Sequence, residues 1–146
     1  MKRLLFIVSF LFAMVFVASA GKTVVYSDSV LPVNAKSLLS RHFGSKVNHV
    51  KIDKNLLGKV DEYEVILQNG TEVDFEADGT LREVDAGKNA VPSGLLLQPI
   101  KDYVKKNCGN KKIVQLEIKK DSYKIELVDG RELKFDRAGK FLSVDV

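Results

Sequence analysis

The chain has 146 residues, of which 45% are hydrophobic and 29% charged, with no tryptophan and one cysteine. This composition is typical of a globular protein and excludes a disordered chain. A single cysteine can form no internal disulfide, so a hydrophobic core must stabilise the fold. The formal net charge is +4, and Lys2 and Arg3 supply two of those charges. A weakly charged remainder of this kind gives no reason to expect a nucleic-acid partner.

The first twenty residues have the pattern of an export signal. Lys2 and Arg3 precede an apolar run over residues 4–17, and Ala18-Ser19-Ala20 follows. Small residues in that spacing are typical of a signal-peptidase site, so we expect residues 1–20 to be a signal peptide cleaved after Ala20. The alternative is an uncleaved anchor, but the apolar run is shorter than the ~20 residues that span a bilayer. We therefore expect a periplasmic or secreted protein with no stable membrane insertion after cleavage.

After a tail at residues 21–30, the chain shows a helical stripe followed by strand patterns. Apolar residues recur at helical spacing in Leu31, Ala35, Leu38, Leu39 and Phe43. Strands are then predicted over residues 47–54, 63–68, 71–75 and 81–84, because apolar and polar residues alternate there. Asn69-Gly70 predicts a tight type I′ hairpin turn.

Residues 87–90 are a short linker, after which the same order of elements recurs. The second helical stripe consists of Leu96, Ile100, Tyr103, Val104 and Cys108. Strands are predicted at 113–119, 123–128, 131–135 and 141–144, with a hairpin turn at Asp129-Gly130. The segments 63–75 and 123–135 align at an offset of sixty without a gap, and such a period indicates a repeated unit.

We therefore predict an α+β fold of two tandem repeats, residues 31–86 and 91–146. Each repeat is expected to be a helix packed on one face of a three- to four-stranded antiparallel sheet. One helix covers one face only, so the other face should be polar and exposed to water.

The doubled pattern resembles the PepSY-like, beta-lactamase-inhibitor-like family of small secreted bacterial proteins. The resemblance is carried by Leu31-Pro32, by His42-Phe43-Gly44 and by the hairpin motif that ends at Val84-Asp85 and again at Val144-Asp145. It covers residues 25–146. The resemblance implies a fold like that of beta-lactamase inhibitory protein, which binds its enzyme with a concave sheet. It also implies a link to the restraint of peptidases.

The residue types that carry catalysis or bind metals do not form a recognisable pattern. Cys108 falls where the first repeat has Phe43, which favours a buried apolar position over a reactive thiol. His42 and His49 have no partner cysteines at metal-site spacing. We therefore expect no catalytic residue, no metal and no cofactor, and a protein that is not an enzyme.

The polar sheet face is the predicted binding surface. Residues 31–86 carry seven Lys/Arg and ten Asp/Glu, whereas residues 91–146 carry twelve and eight, so the two halves differ in charge. The candidate partner-binding residues are Glu64, Glu72, Asp74, Lys124, Glu132 and Lys134. The sequence predicts a module that binds, inhibits or sequesters a protein or peptide of the cell envelope. The alternative is a carrier of a small molecule or envelope component in a cleft between the repeats, and the oligomeric state stays open.

Export should remove residues 1–20. We expect the intact mass of the exported protein to correspond to a chain that begins at Gly21, because the Ala-Ser-Ala pattern precedes it. Mass spectrometry of the periplasmic fraction measures this directly. Recovery of the full chain from a membrane fraction would contradict the prediction.

Overall fold

The computed structural model describes residues 16–18 and 21–146, and most of the predicted signal peptide lies outside the described residues. The two helices are α1 (Val33–His42) and α2 (Gln98–Asn107). A short 3₁₀ turn precedes each of them, at Asp28–Val30 and Ser93–Leu95. The strands are β1 (Phe16–Ala18), β2 (Lys22–Val25), β3 (Val47–Lys54), β4 (Val60–Leu67), β5 (Glu72–Glu76), β6 (Leu81–Asp85), β7 (Ile113–Ile118), β8 (Ser122–Leu127), β9 (Glu132–Asp136) and β10 (Phe141–Asp145).

All ten strands of the described residues form one antiparallel sheet in chain order. Each strand pairs with the one before it, and the pairing continues across the middle of the chain. There β6 pairs with β7 through Glu83↔Glu117, Val84↔Leu116 and Asp85↔Gln115. The prediction of two tandem repeats, each with its own three- to four-stranded sheet, is therefore wrong. The protein is mostly sheet, and its two short helices lie on a single continuous surface.

The joined sheet follows from the cost of unpaired strand edges. Had the halves been separate, β6 and β7 would each expose a row of backbone N–H and C=O groups. Antiparallel pairing satisfies both rows, and the backbone N–H groups of Ala86 and Val91 extend the contact by donating to the carbonyl oxygens of Val114 and Ile113. The C-terminal end of α1 also contacts the second half of the chain. The His42 ring packs so close to Gly94 that a Cβ added to this glycine would lie 2.8 Å from the ring.

The hydrophobic core lies between the helices and one face of this sheet. Alternate residues of each central strand point to it, as in β4, where Val65 and Leu67 are buried. One cluster contains buried residues from both halves of the chain. The largest fully buried side chains are Phe75, Phe135, Leu67, Ile100, Leu116, Ile125, Leu127, Leu133, Val50, Val65, Val73 and Val84.

Helix α1 is fixed to the sheet near the turn between β5 and β6, and helix α2 near the turn between β9 and β10. Asn34 Nδ2 in α1 donates a hydrogen bond to the Asp78 carbonyl oxygen at 3.0 Å. Tyr103 in α2 stacks on Phe141, with ring centroids 4.4 Å apart, and meets the edge of Phe135. Such aromatic contacts add to the apolar area buried. Among the described residues, neither helix is long and apolar enough to cross a membrane.

The hairpin turns differ from the predicted type I′. Gly70 and Gly130 have φ of 86° and 88°, but the preceding Asn69 and Asp129 do not have positive φ. A hydrogen bond from Gly70 N to the Leu67 carbonyl oxygen closes the turn at 3.0 Å. This is the three-residue loop that ends in a left-handed glycine. The Asn69 side chain is free to accept from Thr71 N at 3.0 Å, which stabilises this turn.

The segment before α1 contains a strand that the sequence did not predict. Residues of β2 pair with β3, with Val25 opposite Val50 and Lys22 opposite Asp53. On its other side β2 pairs with β1, which precedes the predicted cleavage site. Cleavage after Ala20 would therefore remove β1 and leave β2 at the edge of the sheet.

Cys108 is buried, with 5% of its surface exposed, and its N–H donates to the Val104 carbonyl oxygen at the end of α2. Since it fills an apolar position, we expect Cys108→Ala to lower the free energy of unfolding by ~1 kcal/mol through lost packing. Chemical denaturation measures the change, and Lys106→Ala on the exposed side of α2 is the control. Rapid labelling of the native thiol would contradict the burial.

Candidate functional site

The open face is the sheet surface opposite α1 and α2. Residues that alternate with the core positions point to it, and they are mostly charged. Because neighbouring strands are paired in register, the charges of successive strands form rows that run across the sheet.

A central row crosses seven strands of the open face. Its members are consecutive partners in the strand pairing, from β3 to β9. In order they are Lys51, Glu64, Asp74, Glu83, Glu117, Lys124 and Lys134. Four neighbouring carboxylates, which we call the acidic row (Glu64, Asp74, Glu83 and Glu117), thus lie between one lysine and a pair of lysines.

The acidic row is only partly neutralised by its surroundings. Directly opposed residues of antiparallel strands have Cβ atoms ~5 Å apart, where like charges repel. Glu64 contacts Lys51, and Lys22 Nζ lies 3.9 Å from Glu64 Oε2. Gln115 Nε2 donates to Glu83, and Lys119 Nζ lies 3.5 Å from Glu117 Oε1. The cations therefore act at the two ends of the acidic row.

Asp74 has no such partner among the described residues. Its Oδ1 is buried and accepts no hydrogen bond. Burial raises the pKa of the Asp74 carboxyl to about 7, and the nearby charges of Glu72 and Glu62 add to the effect. A cation brought beside this carboxyl would favour its ionised form.

Glu72 extends the negative region beside the acidic row. It pairs with Ile66 on β4 and with Asp85 on β6. Burial raises the pKa of the Glu72 carboxyl, and the charge of Glu64 raises it further. On the opposite side Arg82 lies in a bulge of β6 and its Nη1 is 2.7 Å from Glu62 Oε2.

The second half presents cations at the end of the row. Lys124 and Lys134 are direct partners on β8 and β9. Lys124 Nζ lies 2.9 Å from Glu132 Oε2, and this hydrogen bond raises the pKa of the lysine. Lys134 makes no ion pair within the part of the chain that the structure describes. The open face therefore carries a negative centre and a positive flank.

The six candidate residues from the sequence all lie on the open face, but they form two groups. Glu64, Glu72 and Asp74 are adjacent, and Lys124, Glu132 and Lys134 are adjacent. That they bind a partner stays a prediction. Sequence reasoning missed Glu83 and Glu117, which join the groups. Their alternation with Val84 and Leu116 was visible in the sequence, but their proximity required the β6–β7 pairing.

The residues considered for chemistry are scattered. His49 lies at the edge of the open face, where Nδ1 is 2.8 Å from Asn48 Oδ1, whereas His42 is at the end of α1. Over residues 16–18 and 21–146, no three or more of the His, Cys, Asp and Glu side chains come together as metal ligands. The expected absence of a metal, a cofactor and catalysis stays a prediction.

The pKa of Asp74 makes the stability depend on pH. Its usual value is 3.8 and its folded value about 7, so the folded protein binds a proton that the unfolded chain releases. The stabilisation is full below about pH 4 and is lost as the pH rises through 7. We expect Asp74→Asn, which mimics the protonated carboxyl, to raise the melting temperature more at pH 8 than at pH 5. Glu76→Gln, exposed on the same strand, is the control. Equal effects of Asp74→Asn at both pH values would contradict the assignment.

Comparison with solved structures finds the same fold in periplasmic proteins of Bacteroides. A Bacteroides vulgatus protein, described as a "putative periplasmic protein of unknown function", is 34% identical with a TM-score of 0.79, covering 86% of this chain and 100% of its own. A Bacteroides thetaiotaomicron protein, described as a "putative calcium-regulated periplasmic protein", is 31% identical with a TM-score of 0.76, over 82% of this chain and 94% of its own. Another Bacteroides vulgatus protein, also described as a "putative periplasmic protein", is 28% identical with a TM-score of 0.78, covering 88% of this chain and 100% of its own.

Among curated proteins, none matches the chain. The family model described as "putative beta-lactamase-inhibitor-like, PepSY-like" matches residues 61–143, which include β5 to β9 and the whole acidic row. The resemblance noted from the sequence is thereby confirmed, and the chain belongs to the PepSY-like, beta-lactamase-inhibitor-like family.

Proposed function

We propose that this protein is a periplasmic binding module, not an enzyme, that holds a protein partner on its open face. The observation that carries the proposal is the acidic row. Four carboxylates lie side by side there, and one oxygen of Asp74 is buried without a hydrogen-bond partner. Lysine or arginine side chains of a partner are the groups that would neutralise this row.

Neutralisation by a partner would remove charge repulsion that destabilises the free protein. Like charges in adjacent strands destabilise the sheet, and a carboxylate oxygen without a donor loses the hydrogen bonds of water. An arginine offers a planar fork of donors that matches a carboxylate. A partner that inserts such a side chain beside Asp74 would replace repulsion with a charge-assisted hydrogen bond.

The charge pattern also favours one orientation of the partner. The acidic row is followed by Lys124 and Lys134 in the same direction across the sheet. A complementary surface therefore has a basic centre and an acidic flank. Complementary patterns of this kind raise association rates and fix the register of a complex more than they raise its affinity.

The family and the location agree with such a role. The family is described as beta-lactamase-inhibitor-like, and its solved relatives are described as periplasmic. Export by a signal peptide removed after Ala20 would deliver the chain to that compartment. Inhibition would follow where the open face covers the active site of a partner enzyme.

A small-molecule carrier with its site between the two halves has less support. The boundary where such a cleft was expected is filled by the β6–β7 pairing, with Glu83 directly opposite Glu117. Side chains of both halves also belong to one hydrophobic cluster. The open face is therefore the surface that the proposal uses.

Charge reversal on the open face tests the proposal. The wild-type protein is used to capture its partner from periplasmic extract by cross-linking and mass spectrometry. We expect Glu83→Lys with Glu117→Lys, and separately Lys124→Glu with Lys134→Glu, to slow association with that partner. We also expect association to slow at high salt, since charges are screened beyond ~8 Å at physiological ionic strength. The melting temperature of each variant is measured alongside association, because Glu83, Glu117 and Lys124 are half-buried and a change in stability must be separated from a change in binding.

The control is Lys105→Glu with Lys106→Glu on α2, which reverses two charges away from the open face. Association is measured in EDTA and again with calcium, because one relative is described as calcium-regulated. If the affinity changes neither with salt concentration nor with either charge reversal on the open face, this face is not the binding surface.

A further inference from the structure

A cleft lies on the helix side of the sheet, between α1 and the start of β3. Its volume is about 360 Å³, within the range of small-molecule sites. Leu39, Phe43 and Val47 form an apolar floor, and Lys36 and Lys46 stand at its rim with the carboxylate of Asp28. Three serines complete the polar rim, at positions 27, 40 and 45.

A second cleft lies at the corresponding place in the other half. It is lined by Lys101, Val104, Lys112 and Ile113. In the sequence, Lys101 and Val104 follow Lys36 and Leu39 by 65 residues, and Lys112 and Ile113 follow Lys46 and Val47 by 66. Two lysines over an apolar floor therefore occur twice in the molecule.

The two clefts differ in the hydrogen-bond partners of their lysines. In the second cleft Lys101 Nζ lies 3.4 Å from the Ser93 carbonyl oxygen, and Lys112 Nζ lies 3.1 Å from the Lys88 carbonyl oxygen. The segment before α2 thus lies over this cleft, whose volume is about 230 Å³.

In the first cleft neither lysine is engaged in this way. Within the described part of the chain, Lys36 and Lys46 make no side-chain hydrogen bond or ion pair. The nearest carboxylate on the rim, Asp28, belongs to an exposed residue and can offset only one of the two positive charges. The first cleft therefore combines apolar surface with two lysines that have no hydrogen-bond or ion-pair partner among the described residues.

We propose that the first cleft binds a small amphipathic carboxylate, such as a medium-chain fatty acid. The apolar chain lies on Leu39, Phe43 and Val47, and the carboxylate accepts hydrogen bonds from Lys36 and Lys46. In the second cleft backbone carbonyl oxygens take the place of that carboxylate. The site is separate from the open face and does not depend on the proposed partner.

Titration of the exported protein with decanoate tests the proposal. Amide NMR spectra should show saturable binding at one site, with shifts concentrated in α1 and the first residues of β3. Decanol, which has the same chain without the charge, should bind about tenfold more weakly, because it forms no charge-assisted hydrogen bonds.

Matched variants separate the two clefts. Lys36→Gln with Lys46→Gln should weaken decanoate binding about tenfold and leave decanol binding unchanged. The control, Lys101→Gln with Lys112→Gln, should leave both unchanged. Ser40→Trp, an exposed position on α1 that lines the cleft, should block both ligands by filling the space, while capture of a protein partner by the open face persists.

The proposal is overturned if decanoate causes no saturable shifts, or if the two lysine pairs have equal effects. It is also overturned if the shifts fall on the open face. Failure of either kind leaves charge reversal on the open face as an independent test of the proposed function.

Discussion

The pairing of β6 with β7 is the contact on which the rest of the molecule depends. It satisfies two strand edges that would otherwise be exposed, and it converts two similar sequence segments into one sheet. Continuity of the sheet lets both helices cover a single core. It also brings Glu83 beside Glu117, so that carboxylates of the first half meet those of the second. The single hydrophobic core and the acidic row thus both depend on the pairing of β6 with β7.

The two faces of the sheet differ in polarity and in their effect on stability. On the helix side, residues such as Phe75 and Phe135 are fully buried, and apolar burial of this kind stabilises the fold. On the open face, charged residues keep the surface in water, but four neighbouring carboxylates repel one another. Burial raises the pKa of Asp74, and the charges of the neighbouring carboxylates raise it further. Charge repulsion on this surface destabilises the free protein, and bound cations would reduce that repulsion. Such a surface is well suited to binding a basic partner.

The two halves retain similar sequences but differ at the positions that recognition would use. Asp74 and Lys134 occupy corresponding sites in the hairpins, sixty residues apart, and carry opposite charges. Lys36 and Lys101 are likewise equivalent, yet Lys101 lies beside the Ser93 carbonyl oxygen while Lys36 has no such contact. Core positions have stayed apolar, as at Phe43 and Cys108, because burial limits them, whereas surface positions are free to change charge.

The sequence alone determined strands β3 to β10, the two helices, the polar character of the open face and the family. These depend on local periodicity, as in Val65 and Leu67 of β4, and on the turn residues Gly70 and Gly130. Strands β1 and β2, the turn type and the joining of the halves were decided only by tertiary structure, since pairing partners and register are not encoded in the periodicity of a single segment. The acidic row could not be predicted for the same reason. Its members come from four strands, and only the hydrogen bonds between those strands place Glu83 next to Glu117.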